Sequence, residues 1–289
     1  MKTIKFDEYK ILDTSDGMKL ESWNGIKLLR PDPQIIWTDK DKTLWSNIDA
    51  KYTRSNKGGG EWTIYNKNLP SRFEKHNEDL TFNLKLMGIK HTGLFPEQAY
   101  NWNMLRNKIK GKKDVKVLNL FAYTGAASVA CLSSGASVVH VDSSRGMVDW
   151  AKENVASSNL QDKPIRFIVD DVLKFVEREI RRGNKYDIII MDPPSYGRGS
   201  NKEVWDIETD LFNLVEKCSE ILSDDPILFL ISSYTTGLSM TVLENILNLT
   251  VGKKHKGFIS SDELGIKEEY SDIYLPCGIY ARWEKEKYD

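Results

Sequence analysis

The sequence is poor in the residues that build disulfide frameworks and metal sites. Its 289 residues include only three cysteines and four histidines. Cys131, Cys218 and Cys277 lie far apart and are odd in number, which argues against a disulfide framework and against a cysteine-based zinc site. The scattered histidines add no metal-ligand spacing. The sequence therefore predicts a metal-free protein of a reducing, cytoplasmic compartment.

Long apolar runs and an excess of one charge are also lacking. No segment approaches the length of a membrane span, and residues 1–8 lack the apolar core of a signal peptide, so we expect no membrane association. The net charge of −1 gives no overall sign of a nucleic-acid partner. Basic runs occur at residues 106–116 and 253–256, but such runs are more often solvated linkers or helix ends.

Residues 1–88 show short alternating segments separated by turn residues. Tyr9–Asp13 and Met18–Trp23 flank a turn at residues 15–17, which predicts a hairpin. Further strands are predicted at residues 26–29, 61–65 and 81–87. We therefore expect a small, mainly antiparallel β domain. Its many aromatic residues are interpreted as core rather than as base-stacking surfaces.

The remaining chain, residues 89–289, alternates strands and helices. Residues 89–114 form a lead-in with a predicted helix from Ala99 and a basic linker, and Pro96 and Glu97 suit the first helical turn. Strands are predicted at residues 115–120, 137–141, 165–169, 186–191, 227–231 and 273–283, and helices at 146–158, 173–182, 207–222 and 238–249. Repeated βα units predict an α/β fold with a doubly wound, mostly parallel sheet that binds ligands at the carboxyl ends of its strands.

The turn after the first of these strands indicates the kind of ligand. A dinucleotide site uses G-x-G-x-x-G so that the backbone can approach a pyrophosphate. Here Gly125 is the only glycine, and Phe121, Tyr123 and Thr124 crowd the turn. A nucleoside with a small charged tail and no phosphate fits better, and S-adenosylmethionine is such a ligand. The alternative interpretation is an ordinary strand-to-helix turn.

Four predicted strands end in polar residues: Asn119, Asp142, Asp171 and Asp192. Any one of them could equally be a helix cap, but together they would line the ligand edge of one sheet. Asp142 is then placed to accept hydrogen bonds from ribose hydroxyls and Asp171 from an adenine amine. Asp192, with the Gly125 turn, is placed to hold the methionine part.

Residues 192–196, with the sequence Asp-Pro-Pro-Ser-Tyr, are the most specific signal in the chain. Pro193 and Pro194 remove two N–H donors and leave local carbonyls free to accept hydrogen bonds. This arrangement suits an exocyclic amine of a base, on whose flat face Tyr196 could stack. The alternative is a turn in which the prolines only end strand pairing.

Residues 117–125, 141–144, 169–172 and 192–196 resemble the motifs of class I S-adenosylmethionine-dependent methyltransferases, and most closely those of the bacterial large-subunit rRNA methyltransferase group. Residues 91–98 are similar to the segment that precedes the catalytic domain in that group. The resemblance covers roughly residues 80–289, whereas residues 1–80 match no RNA-binding domain of such relatives. It implies a Rossmann-like methyltransferase sheet, S-adenosylmethionine as cofactor, rRNA as substrate and a possible homo-oligomer.

The resemblance and the strand-end pattern together give two sets of site residues. The expected cofactor-binding residues are Gln98, Asn119, Phe121, Tyr123, Thr124, Gly125, Asp142, Ser143, Asp171, Val172 and Asp192. The expected catalytic residues are Asp192, Pro193, Pro194 and Tyr196.

Several functions remain open from the sequence. Methylation of a base amine needs no covalent catalyst, whereas methylation of cytosine C5 needs a cysteine thiolate, for which Cys277 is the candidate although a buried, inert thiol is expected there. A small-molecule or protein methyltransferase is a further alternative. A non-catalytic RNA-binding module and an NAD-dependent oxidoreductase are less favoured.

Overall fold

The computed structural model describes residues 1–3, 6–55, 59–86, 88, 90–198 and 203–287. The chain divides into two compact units. The smaller unit contains Lys2–Tyr100 and Gly265–Cys277, and the larger unit contains Met1, Asn101–Leu264 and Gly278–Asp289. The division falls after Tyr100, later in the chain than residue 88, and a C-terminal segment joins the smaller unit.

The smaller unit is built from two antiparallel-rich sheets. The first has the strand order β1-β2-β3-β4-β5, with only β3 and β4 parallel, and the second pairs β6 with β7. The strands are β1 (Tyr9–Ser15), β2 (Met18–Trp23), β3 (Ile26–Pro31), β4 (Ala50–Arg54), β5 (Gly60–Ile64), β6 (Arg72–Asn77) and β7 (Leu80–Lys85). The predicted first hairpin is confirmed, and its turn has φ values of 51° at Asp16 and 74° at Gly17.

Several aromatic side chains of the smaller unit lie in its interior, whereas Tyr65 and Tyr270 are exposed. Trp23, Tyr52 and Phe82 are buried. The buried Glu21 carboxylate accepts hydrogen bonds from Tyr9 Oη at 2.7 Å and from Arg30 Nη2 at 2.7 Å. Since the buried charges are paired and hydrogen-bonded, they fit within an otherwise apolar core.

The larger unit is organised around a seven-stranded sheet of order β10-β9-β8-β11-β14-β16-β15. Strands β8 to β11 and β14 pair in parallel, and β16 is antiparallel to β14. The strands are β8 (Lys116–Leu120), β9 (Ser137–Asp142), β10 (Ile165–Val169), β11 (Ile188–Met191), β12 (Tyr196–Arg198), β13 (Val204–Asp206), β14 (Leu228–Ser233), β15 (Phe258–Lys267) and β16 (Tyr274–Glu284), with β12 and β13 forming a separate hairpin. The predicted α/β fold with a mostly parallel sheet is confirmed.

Helices connect the parallel strands. They are α1 (Ala99–Ile109), α2 (Ala126–Ser133), α3 (Arg145–Ser157), α4 (Val172–Arg182), α5 (Ile207–Glu220), α6 (Met240–Leu249) and α7 (Val251–Lys254), and a 3-10 turn at Pro96–Gln98 precedes α1. Polar residues start three of them: Ser144, Asp171 and Asp206 accept backbone hydrogen bonds from α3, α4 and α5. Helix α4 ends at Gly183, whose φ of 67° is a left-handed conformation suited to glycine.

The core of the larger unit lies on both faces of the sheet. Every residue of β11 and β14 is buried, which explains the continuous apolar runs in their sequences. Each fully buried Leu, Ile or Phe side chain contributes about 1.5–3 kcal/mol to stability. In the part of the chain described, no helix has both the length and the apolar character needed to cross a membrane.

Candidate active site

The carboxyl ends of the parallel strands meet at one edge of the sheet. Pairing places Leu120 beside Val141, Val169 beside Asp142, and Met191 beside Leu120. The polar residues at the ends of these strands therefore lie along the same edge, as parallel pairing requires.

The turn after β8 is strongly curved. Phe121, Tyr123 and Gly125 have positive φ values of 51°, 52° and 81°. The left-handed conformation costs about 1–2 kcal/mol for a residue with a side chain, and such strain is concentrated at functional sites. A Cβ atom on Gly125 would lie 2.9 Å from Ala151 Cβ and 3.2 Å from His140 Cε1. The turn can thus pack against its neighbours only with glycine at this position.

Asp142, at the end of β9, holds this turn in place. Its Oδ2 accepts a hydrogen bond from the Tyr123 N–H at 2.9 Å, and its Oδ1 accepts one from the Ser144 N–H at 2.8 Å. Burial raises the pKa of the half-buried carboxyl, and the two hydrogen bonds oppose that rise. Each oxygen keeps a second lone pair, so the carboxylate can accept two further hydrogen bonds, as a ribose diol would donate.

A buried polar network lies beneath the turn. Asn119 is 4% exposed, and its amide donates to Ser128 Oγ at 3.0 Å. Ser128 Oγ lies 3.0 Å from His140 Nδ1, and burial lowers the pKa of His140 to about 3. The imidazole is therefore neutral, and its Nδ1 can accept a hydrogen bond from the Ser128 hydroxyl. Asn119, expected to bind cofactor, thus contacts a buried serine below the rim.

Sequence reasoning missed Ser128 and His140. The signals were present, since Ser128 interrupts an Ala-rich helix and His140 interrupts an apolar strand. A buried polar side chain needs a hydrogen-bond partner, so each interruption predicts a polar contact in the interior.

Asp171 and Val172 begin α4. Asp171 Oδ1 accepts a hydrogen bond from the Lys174 N–H at 2.9 Å, so this carboxylate is a helix cap. Its neighbour Asp170 accepts a hydrogen bond from the Asp171 N–H at 2.9 Å and forms an ion pair with Arg178. Val172 is the first residue of the helix, where backbone N–H groups have no intrahelical acceptor. Cap and ligand-binding roles are compatible because one Asp171 oxygen remains outside the cap.

Asp192 follows β11 and has an unusual environment. Its side chain is accessible at the rim, yet the surrounding protein excludes enough water to raise the pKa of its carboxyl to about 6. Within the described ranges, no side chain or backbone group forms a hydrogen bond or ion pair with this carboxyl.

The carbonyls after Asp192 differ from expectation in one respect. Pro194 O is already occupied, because it accepts a hydrogen bond from Trp205 Nε1 at 2.7 Å. Ser195 O accepts one from the Ile207 N–H at 3.0 Å. Pro193 O accepts none from the residues that the structure covers. Of the local carbonyls expected to be free, Pro194 O and Ser195 O are therefore occupied and Pro193 O is not.

The aromatic residue of the motif faces solvent. Tyr196 begins β12 and is 54% exposed. The loop before Tyr196 is hydrogen-bonded to the segment that follows β14, since Ser195 Oγ lies 2.7 Å from Thr235 Oγ1. Ser143 is also exposed, between Asp142 and the cap of α3.

Two predicted site residues belong to the smaller unit. Gln98 is half-buried at the end of the 3-10 turn, and its N–H donates to Phe95 O at 3.1 Å. Cys277 is 7% exposed, and its thiol donates to Leu275 O at 3.3 Å. Burial raises the pKa of this thiol well above its usual range. The expectation that Cys277 is a buried thiol is confirmed.

Comparison with solved structures supports the fold. The crystal structure of a SAM-dependent methyltransferase from Agrobacterium tumefaciens is 32% identical with a TM-score of 0.91, and the match covers 99% of this chain and 94% of that chain. A methyltransferase complexed with SAH is 21% identical with a TM-score of 0.74, over 97% of this chain and 76% of that chain. The latter likeness shows the fold alone.

Sequence comparison gives the relatives and the family. The protein named ribosomal RNA large subunit methyltransferase K/L from Pseudoalteromonas atlantica is 39% identical over 143 residues, or 49% of this chain and 19% of that protein. The protein of the same name from Syntrophotalea carbinolica is 32% identical over 189 residues, or 65% of this chain and 26% of that protein. The matches thus span about a quarter or less of these relatives. A family described as S-adenosylmethionine-dependent methyltransferase matches residues 56–240. The chain belongs to this family and is an enzyme whose cofactor is S-adenosylmethionine.

Proposed function

We propose that this enzyme methylates an exocyclic amine of a base in ribosomal RNA. The observation that carries the proposal is the environment of Asp192. A poorly solvated carboxyl with no protein partner among the described residues lies next to the Pro193 carbonyl, which has none either. Two neighbouring acceptors of this kind suit a group with two N–H donors, such as the amine of a base.

The chain's residues fit the cofactor. The open lone pairs of Asp142 suit the two ribose hydroxyls, and the Asp171 carboxylate with the Val172 N–H suits the adenine edge. The turn formed by Phe121, Tyr123, Thr124 and Gly125 is assigned to the methionine part, with Asn119 supporting it from below. Ser143 and Gln98 remain predicted cofactor contacts. The bound cofactor supplies a methyl group on a sulfonium, which is activated for displacement.

The acceptor side provides positioning. The Asp192 carboxyl and the Pro193 carbonyl each accept a hydrogen bond from one N–H of the amine and thereby orient the lone pair of its nitrogen. With a pKa of about 6, the Asp192 carboxyl is mostly ionised at neutral pH and can accept such hydrogen bonds. The exposed Tyr196 ring offers a flat surface for the base. In-line displacement needs orientation of this kind rather than a covalent catalyst.

RNA is favoured as substrate by the names of the relatives and by the exposed ring beside the acceptor motif. Methylation of cytosine C5 is less favoured, because the Cys277 thiol is buried and its raised pKa keeps it protonated. The nucleophile in that reaction is a thiolate.

The test compares rRNA nucleosides by mass spectrometry in cells with and without the protein. We expect one methylated base to be absent from the deletion strain and to return with the wild-type protein and with Cys277→Ala. It should not return with Asp192→Ala or Tyr196→Ala. Asp149→Ala and Phe258→Ala, which alter an exposed acid and an exposed ring on α3 and β15, are the matched controls.

Two outcomes would overturn parts of the proposal. If Cys277→Ala binds S-adenosylmethionine but restores no methylation, the cytosine C5 reaction replaces the amine reaction. If the nucleosides do not differ between the strains, RNA is not the substrate, and a protein or small-molecule acceptor takes its place.

A further inference from the structure

Trp205, which the sequence did not single out, contacts two separate parts of the site. This half-buried residue lies on β13. Its Nε1 donates a hydrogen bond to Pro194 O at 2.7 Å. Its ring lies against Phe121, with centroids 4.9 Å apart and an interplanar angle of 57°. One indole therefore joins residues 192–195, here called the acceptor loop, to residues 121–125, here called the donor turn.

The acceptor loop is short of internal constraints. Pro193 and Pro194 have no N–H groups, so the loop cannot form a backbone turn hydrogen bond from either of them. The indole N–H fixes the carbonyl that joins Pro194 to Ser195. Since Pro194 O is directed at Trp205, Pro193 O is the proline carbonyl left to accept a hydrogen bond from a substrate amine, beside the Asp192 carboxyl.

The hairpin that carries Trp205 packs on the same loop. Strand pairing sets Trp205 opposite Gly197, and a Cβ atom at Gly197 would lie 3.7 Å from Pro194 Cγ. The hairpin of β12 and β13 thus packs on Pro194. Gly197, opposite Trp205, has no side chain that could take the place of the indole there. The pairing also sets Tyr196 opposite Asp206, the neighbour of Trp205.

Phe121 is the contact on the donor side. It has a positive φ of 51°, a conformation that a bulky residue keeps only when its surroundings enforce it. An aromatic pair of this geometry stabilises the two rings beyond the burial of their surface. The Trp205 ring is therefore one of the contacts that hold Phe121 in the strained turn.

We propose that Trp205 is a positioning residue, whose N–H sets the acceptor carbonyls and whose ring supports the donor turn. This inference rests on the proposed function, since the acceptor carbonyls matter only if an amine is methylated there. The two contacts can be separated by substitution, because phenylalanine keeps an aromatic ring and removes the N–H.

The experiment measures methyl transfer to rRNA and calorimetric binding of S-adenosylmethionine. We expect Trp205→Phe to lower kcat about tenfold, as the loss of one well-placed hydrogen bond does, with KM for rRNA and Kd for the cofactor changed less than about twofold. Trp205→Leu removes both contacts and should also weaken cofactor binding by about fivefold. Trp283→Phe is the control, because the buried Trp283 Nε1 has no hydrogen-bond partner among the described residues.

Three results would overturn the inference. The first is a wild-type kcat in Trp205→Phe. The second is a fall in kcat that matches the loss of folded protein in a thermal melt and disappears on cooling, which would mean a purely structural role. The third is equal cofactor affinity in Trp205→Phe and Trp205→Leu. If wild-type enzyme methylates no rRNA, the proposed substrate is wrong, and the comparison of cofactor affinities still decides the link to the donor turn.

Discussion

Substitution of Gly125 by alanine would test whether the turn after β8 is shaped for the cofactor. Gly125 has a φ of 81°, and an added Cβ would lie 2.9 Å from Ala151 Cβ and 3.2 Å from His140 Cε1. The left-handed conformation costs about 1–2 kcal/mol for alanine, and overpacking of this kind costs about 1–3 kcal/mol. We therefore expect Gly125→Ala to lower the free energy of unfolding by about 2–5 kcal/mol.

Gly135→Ala is the matched control. Gly135 has a φ of 96°, and nothing lies within 4 Å of its added Cβ. Gly135→Ala is therefore destabilised only by the left-handed backbone conformation and not by overpacking. The entropy that alanine removes from the unfolded chain is the same for both variants. The two variants should thus differ by about 1–3 kcal/mol.

Urea denaturation of both variants, with calorimetric titration of S-adenosylmethionine, makes the comparison. Cofactor binding should be weakened in Gly125→Ala and unchanged in Gly135→Ala, because only the first displaces the neighbours of the turn. Equal losses of stability, or wild-type cofactor affinity in Gly125→Ala, would refute the reasoning.

Three further predictions concern polar residues of the site. The Asp192 carboxyl has a pKa of about 6 in the folded state against 3.8 in the unfolded chain, so between these pH values the folded state binds more protons. Wild type should therefore lose stability relative to Asp192→Asn as the pH rises from 4 to 6. Parallel curves of urea midpoint against pH for the two proteins would contradict this. Asp142→Asn should weaken cofactor binding about 10–100-fold in calorimetry, since hydrogen bonds to a charged group contribute about 1.5–3 kcal/mol, and unchanged affinity would exclude the ribose role. Ser128→Ala should lower the free energy of unfolding, measured by urea denaturation, by about 1–3 kcal/mol, because the buried Asn119 amide and His140 Nδ1 both lose the serine hydroxyl as a partner. An unchanged free energy of unfolding would mean that water replaces the hydroxyl.

The parallel strands and long helices were predictable because their sequences show one clear periodicity. Strands β8, β11 and β14 are buried over all or nearly all of their length and contain runs of apolar residues, and α3 and α5 have polar caps. The polar strand ends were also predictable, since parallel pairing brings them to one edge.

Elements with mixed polarity were missed. The edge strand β15 contains Ser260, Ser261 and Asp262, and β6 directs Lys75 and Asn77 inward, so neither shows the expected alternation. Trp205 was missed for another reason. Its contacts with Pro194 and Phe121 depend on how a hairpin folds over a distant turn, and no local spacing encodes that arrangement.

The burial of all three thiols makes them reporters of local opening. Thiolates react with alkylating reagents, and burial raises the pKa of Cys131 to about 12 and that of Cys277 well above its usual range. Each cysteine is therefore protected until its surroundings unfold transiently. Cys131 and Cys218 belong to the larger unit and Cys277 to the smaller one, so the labelling rate at each position would show which unit opens first.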